Sequence, residues 1–323
     1  MITYPIKFEP ILQEKIWGGS KLKDLLLKKS TSDAIGESWE ISGVEGHISV
    51  VNNGIYKGAS ITDLIKDHQQ EFVGRKNYEQ FGDEFPLLIK YLDAQTDLSV
   101  QVHPDDTMAR EAHNSFGKTE MWYIMDREDD ATIINGFKDK KVTTNSLRAI
   151  TKDNVDQILN KQKVNKGDAF FIPAGKVHAI GAGVLAAEIQ QTSDITYRVY
   201  DWDRVDSAGN KRELHMEESI KAVKRNESPL NEIPNPTSIP NSKVLASCPY
   251  FTSTVIKLDE PTTMDYTTKD SFVIYMCVEG SLDITINDAT ETVQKGETIL
   301  IPANATQVVL EPKDARILEV YIK

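Results

Sequence analysis

Short apolar runs bounded by Gly, Pro, Asn and Asp recur along the chain, the punctuation of stacked β-hairpins rather than of helices. The stretch Lys166–His178 sets the pattern. A turn at Lys166-Gly167-Asp168 precedes a predicted strand Ala169–Ile172, and a Pro-Ala-Gly bend then delivers His178 to the start of another strand. Alternation predicts further strands over Gly36–Ser42, with Trp39 and Ile41 on one face, and over Leu87–Leu92, Leu98–Val102 and Thr119–Met125. Helical periodicity is sparser. Ser20 is placed to cap KLKDLLLKK, and Ser60 with Asp63 makes a capping-box pair ahead of Leu64 and Ile65. Helices are also expected around Asp106–His113, Thr144–Asn160 and His215–Arg225. From Val244 to Lys323 almost everything alternates as strand.

That last portion repeats the organising stretch. KGETILIPANATQ (Lys295–Gln307) aligns with KGDAFFIPAGKVH (Lys166–His178) at a shift of 129 residues, from position 166 to position 295. Two copies of one β module are therefore expected, in a mainly β chain with a few short helices. The position of His178 is filled in the second copy by Gln307, a far poorer metal ligand, so the module packs without the histidine. A Pro/Asn/Ser-rich stretch, Ser228–Ser242, reads as a linker or a long surface loop. The expected division is a catalytic module over 1–227 with N-terminal strands and small helical insertions, a linker at 228–243, and a degenerate module over 244–323.

Composition narrows the function classes. A chain of 323 residues is long enough to bury a sizeable core. A formal charge of −12 argues against a nucleic-acid binder, yet a few Lys and Arg converging in one pocket still suit an anionic small molecule. No apolar run reaches the roughly 18–20 residues of a membrane span, and MITYPIKFEP has no signal-peptide pattern. Cys248 and Cys277 lie in no CxxC motif, which points to reduced thiols in a cytoplasmic protein and against a thiolate zinc site.

The chemistry is expected elsewhere. Alternation places Gln101 and His103 on one strand face, while Glu120 and His178 each open a strand. Two imidazoles and a carboxylate suit a divalent metal that keeps positions open for substrate, and the Gln101 carbonyl would add a neutral fourth donor. Each residue also has a structural reading. Gln101 could bond a neighbouring strand, His103 could be a turn residue before Pro104, and His178 could satisfy a carbonyl. Glu120 is harder to explain that way, because a carboxylate amid apolar strand residues needs a cation. Lys118, two residues earlier, faces the same side. Arg198 suits a phosphate or a developing oxyanion, or else a structural pair with an acid such as Asp194. His47, His68, His113 and His215 sit among polar residues or at helices.

Six motifs now stand in order: IWGG (Ile16–Gly19), GESWEIS, QVHPDD, GKTEMWYI, IPAGKVHAIGAG and EIQQTSDITYRVYDWDR. The chain from Ile16 to about Arg225 resembles the type I mannose-6-phosphate isomerases in their short bacterial form. The resemblance implies two cupin-type β-barrel (jelly-roll) modules, one Zn²⁺ per chain, and interconversion of mannose 6-phosphate and fructose 6-phosphate through a cis-enediol. It places metal ligands at Gln101, His103, Glu120 and His178, the active-site arginine at Arg198 and a catalytic lysine at Lys118. Gln101 is the least tied of these, since short forms are expected to hold zinc through two histidines and the glutamate. The long members' helical domain is reduced here to Thr144–Asn160 and a few short helices, so their phosphate contacts do not transfer. Competing readings are another cupin isomerase acting on glucose 6-phosphate, an Fe(II) dioxygenase with the same facial triad, and a non-catalytic sugar-binding double cupin. Lys118 and Arg198 favour a sugar phosphate.

Overall fold

A computed structural model describes residues 2–139, 143–205, 208–223 and 241–323. Ahead of the proline-rich stretch run β1 (Ile11–Gly19), β2 (Ile35–Ser42), β3 (Leu87–Ala94), β4 (Val100–Val102), β5 (Glu120–Arg127) and β6 (Thr132–Phe137). They are followed by β7 (Leu159–Lys163), β8 (Ala169–Ile172), β9 (His178–Ile180), β10 (Val184–Gln191) and β11 (Tyr197–Tyr200). These strands form two antiparallel sheets, ordered β1-β2-β3-β10-β5-β8 and β11-β4-β9-β6-β7. After it come β12 (Ser242–Ser247), β13 (Thr252–Leu258), β14 (Thr262–Asp265), β15 (Val273–Ile286), β16 (Ala289–Gln294), β17 (Thr298–Ile301) and β18 (Gln307–Tyr321). They build a third sheet, β12-β13-β18-β15-β16, with β14 on β18 and β17 on β15.

Period-two patterning explains the layers. On β3, β5 and β10 one set of alternate side chains (Ile89, Tyr91, Met121, Tyr123, Leu185, Ile189) enters a core shared with Ile6, Phe272, Leu300 and Val320. The other set (Leu92, Trp122, Ile124, Ala186) meets Ile133 of β6 and Ile180 of β9. The first sheet is thus buried on both faces, which is why its strands read as nearly unbroken apolar runs. Its first face packs on the second module and its second face on the other sheet of its own module. Among the described residues the pairing leaves sheet ends at β1, β8, β11 and β7, so the two sheets face each other as an open sandwich.

The repeat holds down to single hydrogen bonds. At the same shift of 129, β8 maps onto β17, and His178 at the head of β9 maps onto Gln307 at the head of β18. Gly167 (φ 91°) and Gly296 (φ 86°) occupy the same left-handed turn position. Gly167 N–H donates to the Ile124 carbonyl (2.8 Å) and Ile124 N–H to that of Asp168 (2.9 Å); Gly296, Cys277 and Glu297 repeat the pair at 2.8 and 3.0 Å.

Several expectations shift. Trp39 and Ile41 do not share a face. Trp39 pairs with Lys90 and Ile41 with Ile89, so a bulge at Glu40 sends Ile41 into the shared core and turns Trp39 toward the inter-sheet space. The helix after Ser20 is one turn, Lys21–Asp24, with no side-chain cap, because Leu22 and Leu26 anchor it while Leu27 turns to φ 55°. Thr144–Asn160 splits into Thr144–Arg148 and Val155–Ile158. There the Asn154 side chain accepts from Thr151 N–H (2.8 Å) and donates to the Ala149 carbonyl (2.7 Å), local bonds that compete with a continuous helix. The chain then leaves as β7. The capping box at Ser60 and Asp63 forms, starting the helix Ile61–His68. The helices Asp106–His113 and Met216–Ala222 lie where expected, the latter ending short of the residues not described. Most of the proposed linker falls outside the described residues, while Ser242 and Lys243 already belong to β12. Ile6 bridges Leu300 through two backbone bonds (2.8 and 2.9 Å), so the first residues are built onto the second module. Among the described residues no helix is long and apolar enough to cross a membrane.

Candidate functional site

Polar side chains interrupt the apolar packing between the two sheets of the first module. Gln101 on β4 lies opposite His178 on one side and Arg198 on the other, a row of three across the second sheet. His103 follows β4, Glu120 opens β5, and Lys118 precedes it. His103, Glu120, His178 and Lys118 are all buried. The two imidazole Nε2 atoms are 3.1 Å apart. Glu120 Oε1 lies 3.3 Å from His178 Nε2, and its Oε2 lies 3.4 Å from His103 Nε2. Lys118 Nζ stands 2.9 Å from Glu120 Oε2 and 3.1 Å from His103 Nε2.

This geometry fits a metal ion. His103 Nδ1 is bonded to the Ile195 carbonyl (2.9 Å) and His178 Nδ1 to the Lys176 carbonyl (2.8 Å). A carbonyl only accepts, so each Nδ1 carries the proton and each Nε2 presents a lone pair. Two lone pairs and a carboxylate converging at these distances repel one another unless a cation lies between them. Protonation of the imidazoles does not supply that cation, and the Lys118 ammonium reaches His103 and Glu120 but leaves the His178 lone pair facing His103 Nε2 at 3.1 Å and Glu120 Oε1 at 3.3 Å. Burial, helped by Lys118, pushes His103 down to about 3, and burial likewise lowers His178. Burial alone would raise the Glu120 carboxyl, but the Lys118 ammonium beside it holds it well below the usual range. Neutral imidazoles and an ionised carboxylate are the ligand forms a divalent metal takes. Among the described residues these three form the one such cluster, with donor atoms within 4.8 Å of one another.

Beside them is a cavity of about 270 Å³ that also takes in Gln101 and Arg198. Five cations (Lys15, Lys90, Lys118, Arg198 and Arg212) line it against three carboxylates (Glu37, Glu188 and Asp194), so its wall is locally positive although the chain is acidic. Arg198 is not simply paired with an acid. Its Nη1 donates to the Glu213 carbonyl (2.8 Å), and its buried Nε makes no hydrogen bond. The other histidines stay apart from the cluster. His113 Nε2, for instance, bonds the Tyr197 hydroxyl at 2.8 Å.

The structure also brings in residues that the sequence reading passed over. Register places Trp39, Lys90, Glu188 and Trp122 in one row across β2, β3, β10 and β5. Lys90 Nζ is 3.1 Å from Glu188 Oε1 and 3.9 Å from Glu37 Oε2. The indoles of Trp122 and Trp39 donate to Glu188 (2.8 Å) and Glu37 (2.6 Å). Burial pushes Glu188 up even with Lys90 beside it. Lys90, which burial alone would lower, is held up by Glu37 and Glu188. The available signal was a charge flanked on both sides by apolar residues, Lys90 in LLIKYL and Glu188 in VLAAEI.

Two family profiles match the chain: "Phosphomannose isomerase type I, catalytic domain" over residues 6–126, and "Mannose-6-phosphate isomerase, cupin domain" over residues 241–322. The mannose-6-phosphate isomerase of Bacillus subtilis is 38% identical over 96% of this chain and 97% of its own. The chain belongs to the type I mannose-6-phosphate isomerases. The Streptococcus mutans enzyme of that name is 37% identical over 92% of each chain. The crystal structure of a Bacillus subtilis mannose 6-phosphate isomerase superposes with a TM-score of 0.87 at 32% identity, covering 99% of this chain and 100% of that one. An Archaeoglobus fulgidus structure described as a putative mannosephosphate isomerase shares the fold, with a TM-score of 0.79 at 22% identity over 100% and 99% of the two chains.

The second module of this isomerase-family chain, residues 241–322, lacks the cluster. Glu120 pairs with Ile172, and Val273 pairs with Ile301, which repeats Ile172, so Val273 stands where Glu120 does. Gln101 pairs with His178, and Asp265 pairs with Gln307. The set Gln101, His103, Glu120 and His178 thus becomes Asp265, Thr267, Val273 and Gln307. Thr267 donates back to Asp265 through its amide (2.9 Å) and hydroxyl (2.6 Å).

Proposed function

We infer that this chain interconverts mannose 6-phosphate and fructose 6-phosphate. We assign zinc to His103, Glu120 and His178, with Gln101 as a further donor. The observation that carries this reading is a buried imidazole–imidazole–carboxylate cluster standing, through Lys118, beside a cavity whose wall is rich in cations. When bound, the metal supplies Lewis-acid polarisation of the C1 and C2 oxygens of the opened sugar. Lys118, beside the cluster, is the group we assign to move a proton between C2 and C1 of a cis-enediol. Such a positioned acid–base group contributes about 10²–10⁴-fold. Arg198, with a buried Nε left without a partner, steadies the oxygen that gains negative charge. Glu188, pushed up by burial, is a second cavity group able to hold a proton.

The relatives named as mannose-6-phosphate isomerases support this substrate. An oxygenase of apolar substrates would have no use for the cationic wall, and a passive sugar binder would have no use for a ligand set kept in one module and absent from the other. A small-molecule substrate and reduced thiols fit a cytoplasmic location.

Turnover of mannose 6-phosphate in D₂O tests the route. Proton transfer through an enediol places solvent deuterium on the carbons that exchange. Prolonged equilibration that yields fructose 6-phosphate free of deuterium contradicts it in favour of a hydride shift.

A further inference from the structure

The reacting carbons of a hexose 6-phosphate lie at one end of the molecule and the phosphate at the other, so an anion site has to lie some way from the metal ligands. Strand β4 measures that distance. Its residues run outward from His103 through Gln101 to Ser99, and Gln101 to Ser99 is roughly 7 Å at strand rise. Strand β11 runs alongside, with Arg198 opposite Gln101 and Tyr200 opposite Val100. Just beyond it, Trp202 Nε1 donates to the Leu98 carbonyl (2.7 Å), which fixes Asp201 at that outer end.

Asp201 is buried and holds Arg212 side-on. Nε donates to Oδ2 (2.8 Å) and Nη2 to Oδ1 (2.5 Å). This grip leaves the end-on edge of the guanidinium, Nη1 and the outer Nη2 proton, unused by Asp201, and that edge matches a phosphate's oxygens. Asp201 also takes Arg204 at 2.5 Å, so a single carboxylate serves two guanidinium charges. The segment carrying Arg212 is pinned just after it. His215 N–H donates to the Arg198 carbonyl (2.8 Å), Arg198 N–H donates to His215 Nδ1 (3.1 Å), and Arg198 Nη1 donates to the Glu213 carbonyl. Each lysine of the cavity is already paired with a carboxylate: Lys15 with Glu37 (3.5 Å), Lys90 with Glu188 and Lys118 with Glu120.

We propose that Arg212, braced by Asp201, anchors the phosphate group of the substrate at the outer end of the cavity and so makes the enzyme select phosphorylated over free sugar. The proposal rests on the sugar-phosphate reading above. Arg212 touches the substrate in it, and Asp201 acts as a positioning residue.

The test is Arg212→Ala, with Arg212→Lys and Asp201→Asn beside it, each checked for metal content and thermal midpoint. A charge-assisted pair with an anion is worth about 1.5–3 kcal/mol, so Arg212→Ala should raise KM for mannose 6-phosphate roughly 10–100-fold with kcat little changed. The inhibition constant of inorganic phosphate should rise in parallel, and the preference for mannose 6-phosphate over mannose should fall. Arg212→Lys should recover part of the loss, and Asp201→Asn should move KM the same way by less. A folded, metal-replete Arg212→Ala protein with unchanged KM and unchanged phosphate inhibition overturns the proposal. So does a loss shared equally by mannose and mannose 6-phosphate. Should the wild type fail to isomerise mannose 6-phosphate, the functional reading falls, while calorimetric binding of inorganic phosphate to wild type and Arg212→Ala still decides the anion site: weaker binding in the variant supports it and equal binding overturns it.

Discussion

The two β modules share a turn, a bend and the hydrogen bonds between them, yet one keeps charge in its interior and the other fills that interior with hydrocarbon. In the first, Glu120, Lys90 and Glu188 are buried on mostly apolar strands, and two neutral imidazoles converge on Glu120. In the second, Val273, Ile299, Ile301 and Val308 pack together with Tyr275 at equivalent depth. One acid survives in the second module. Register puts Glu319 opposite Tyr275, as Glu188 is opposite Trp122, but Glu319 accepts from the Tyr266 hydroxyl (2.5 Å) and pairs with Lys269 (3.3 Å). Glu188 is satisfied in the same way, by Trp122 and Lys90, so the difference between the modules lies in the imidazole–carboxylate cluster and the cavity beside it rather than in this acid. The backbone plan of the module therefore does not specify chemistry; a handful of buried side chains left short of partners does.

The comparison breaks most severely at the cluster. Glu120→Ala should strip the metal and lower turnover by roughly 10³-fold or more, since metal stabilisation of developing charge is worth several kcal/mol. Gln307→Ala, at the mirrored position of His178, should change neither metal content nor rate. Elemental analysis alongside kinetics checks both. Next comes Arg198→Ala, expected to cost about 10²–10³ in kcat while metal content stays normal, the loss typical of one oxyanion donor. Wild-type-like turnover in that variant would remove Arg198 from the chemistry. Conversely, Val273→Glu should not recreate a site. It buries an unpaired carboxylate and should destabilise the protein by about 3–5 kcal/mol in chemical denaturation, with no gain of bound metal even when combined with Gln307→His. The smallest contrast lies in the two turns. A Cβ at Gly167 would touch only the Tyr123 hydroxyl, at an ordinary 3.9 Å, so Gly167→Ala should cost only the left-handed strain of about 1–2 kcal/mol, whereas a Cβ at Gly296 would stand 2.6 Å from Leu26 Cβ and should cost more. Equal losses would show that the turns are not packed differently.

Much of this was legible beforehand because turn residues and period-two patterning act locally. Gly167, Pro173 and the run Ala169–Ile172 dictate their hairpin without help from distant residues, and the same letters do so again at Gly296. His103, Glu120, His178, Gln101, Lys118 and Arg198 were all named from strand positions and family motifs; the fold brings the first three into one cluster and sets the other three in the cavity beside it. What escaped was set by register and tertiary contact. The bulge at Glu40, which turns Trp39 onto Lys90, is a pairing event between β2 and β3 that neither strand announces alone. Lys90 and Glu188 passed unnoticed because their place depends on β3 and β10 being buried on both faces, which neither strand shows by itself. Arg212 lies in an irregular segment whose position depends on Asp201 and His215. The break at Asn154 came from a side chain competing with the helix backbone.

The most direct test of the account is turnover of mannose 6-phosphate by the purified protein before chelation, after chelation, and after zinc is restored. The account predicts fructose 6-phosphate formation that chelation abolishes and zinc brings back, with no loss of folded protein in between. Full activity in protein shown to be free of metal would contradict the role given to His103, Glu120 and His178. No turnover by the metal-loaded protein would contradict the substrate assignment itself.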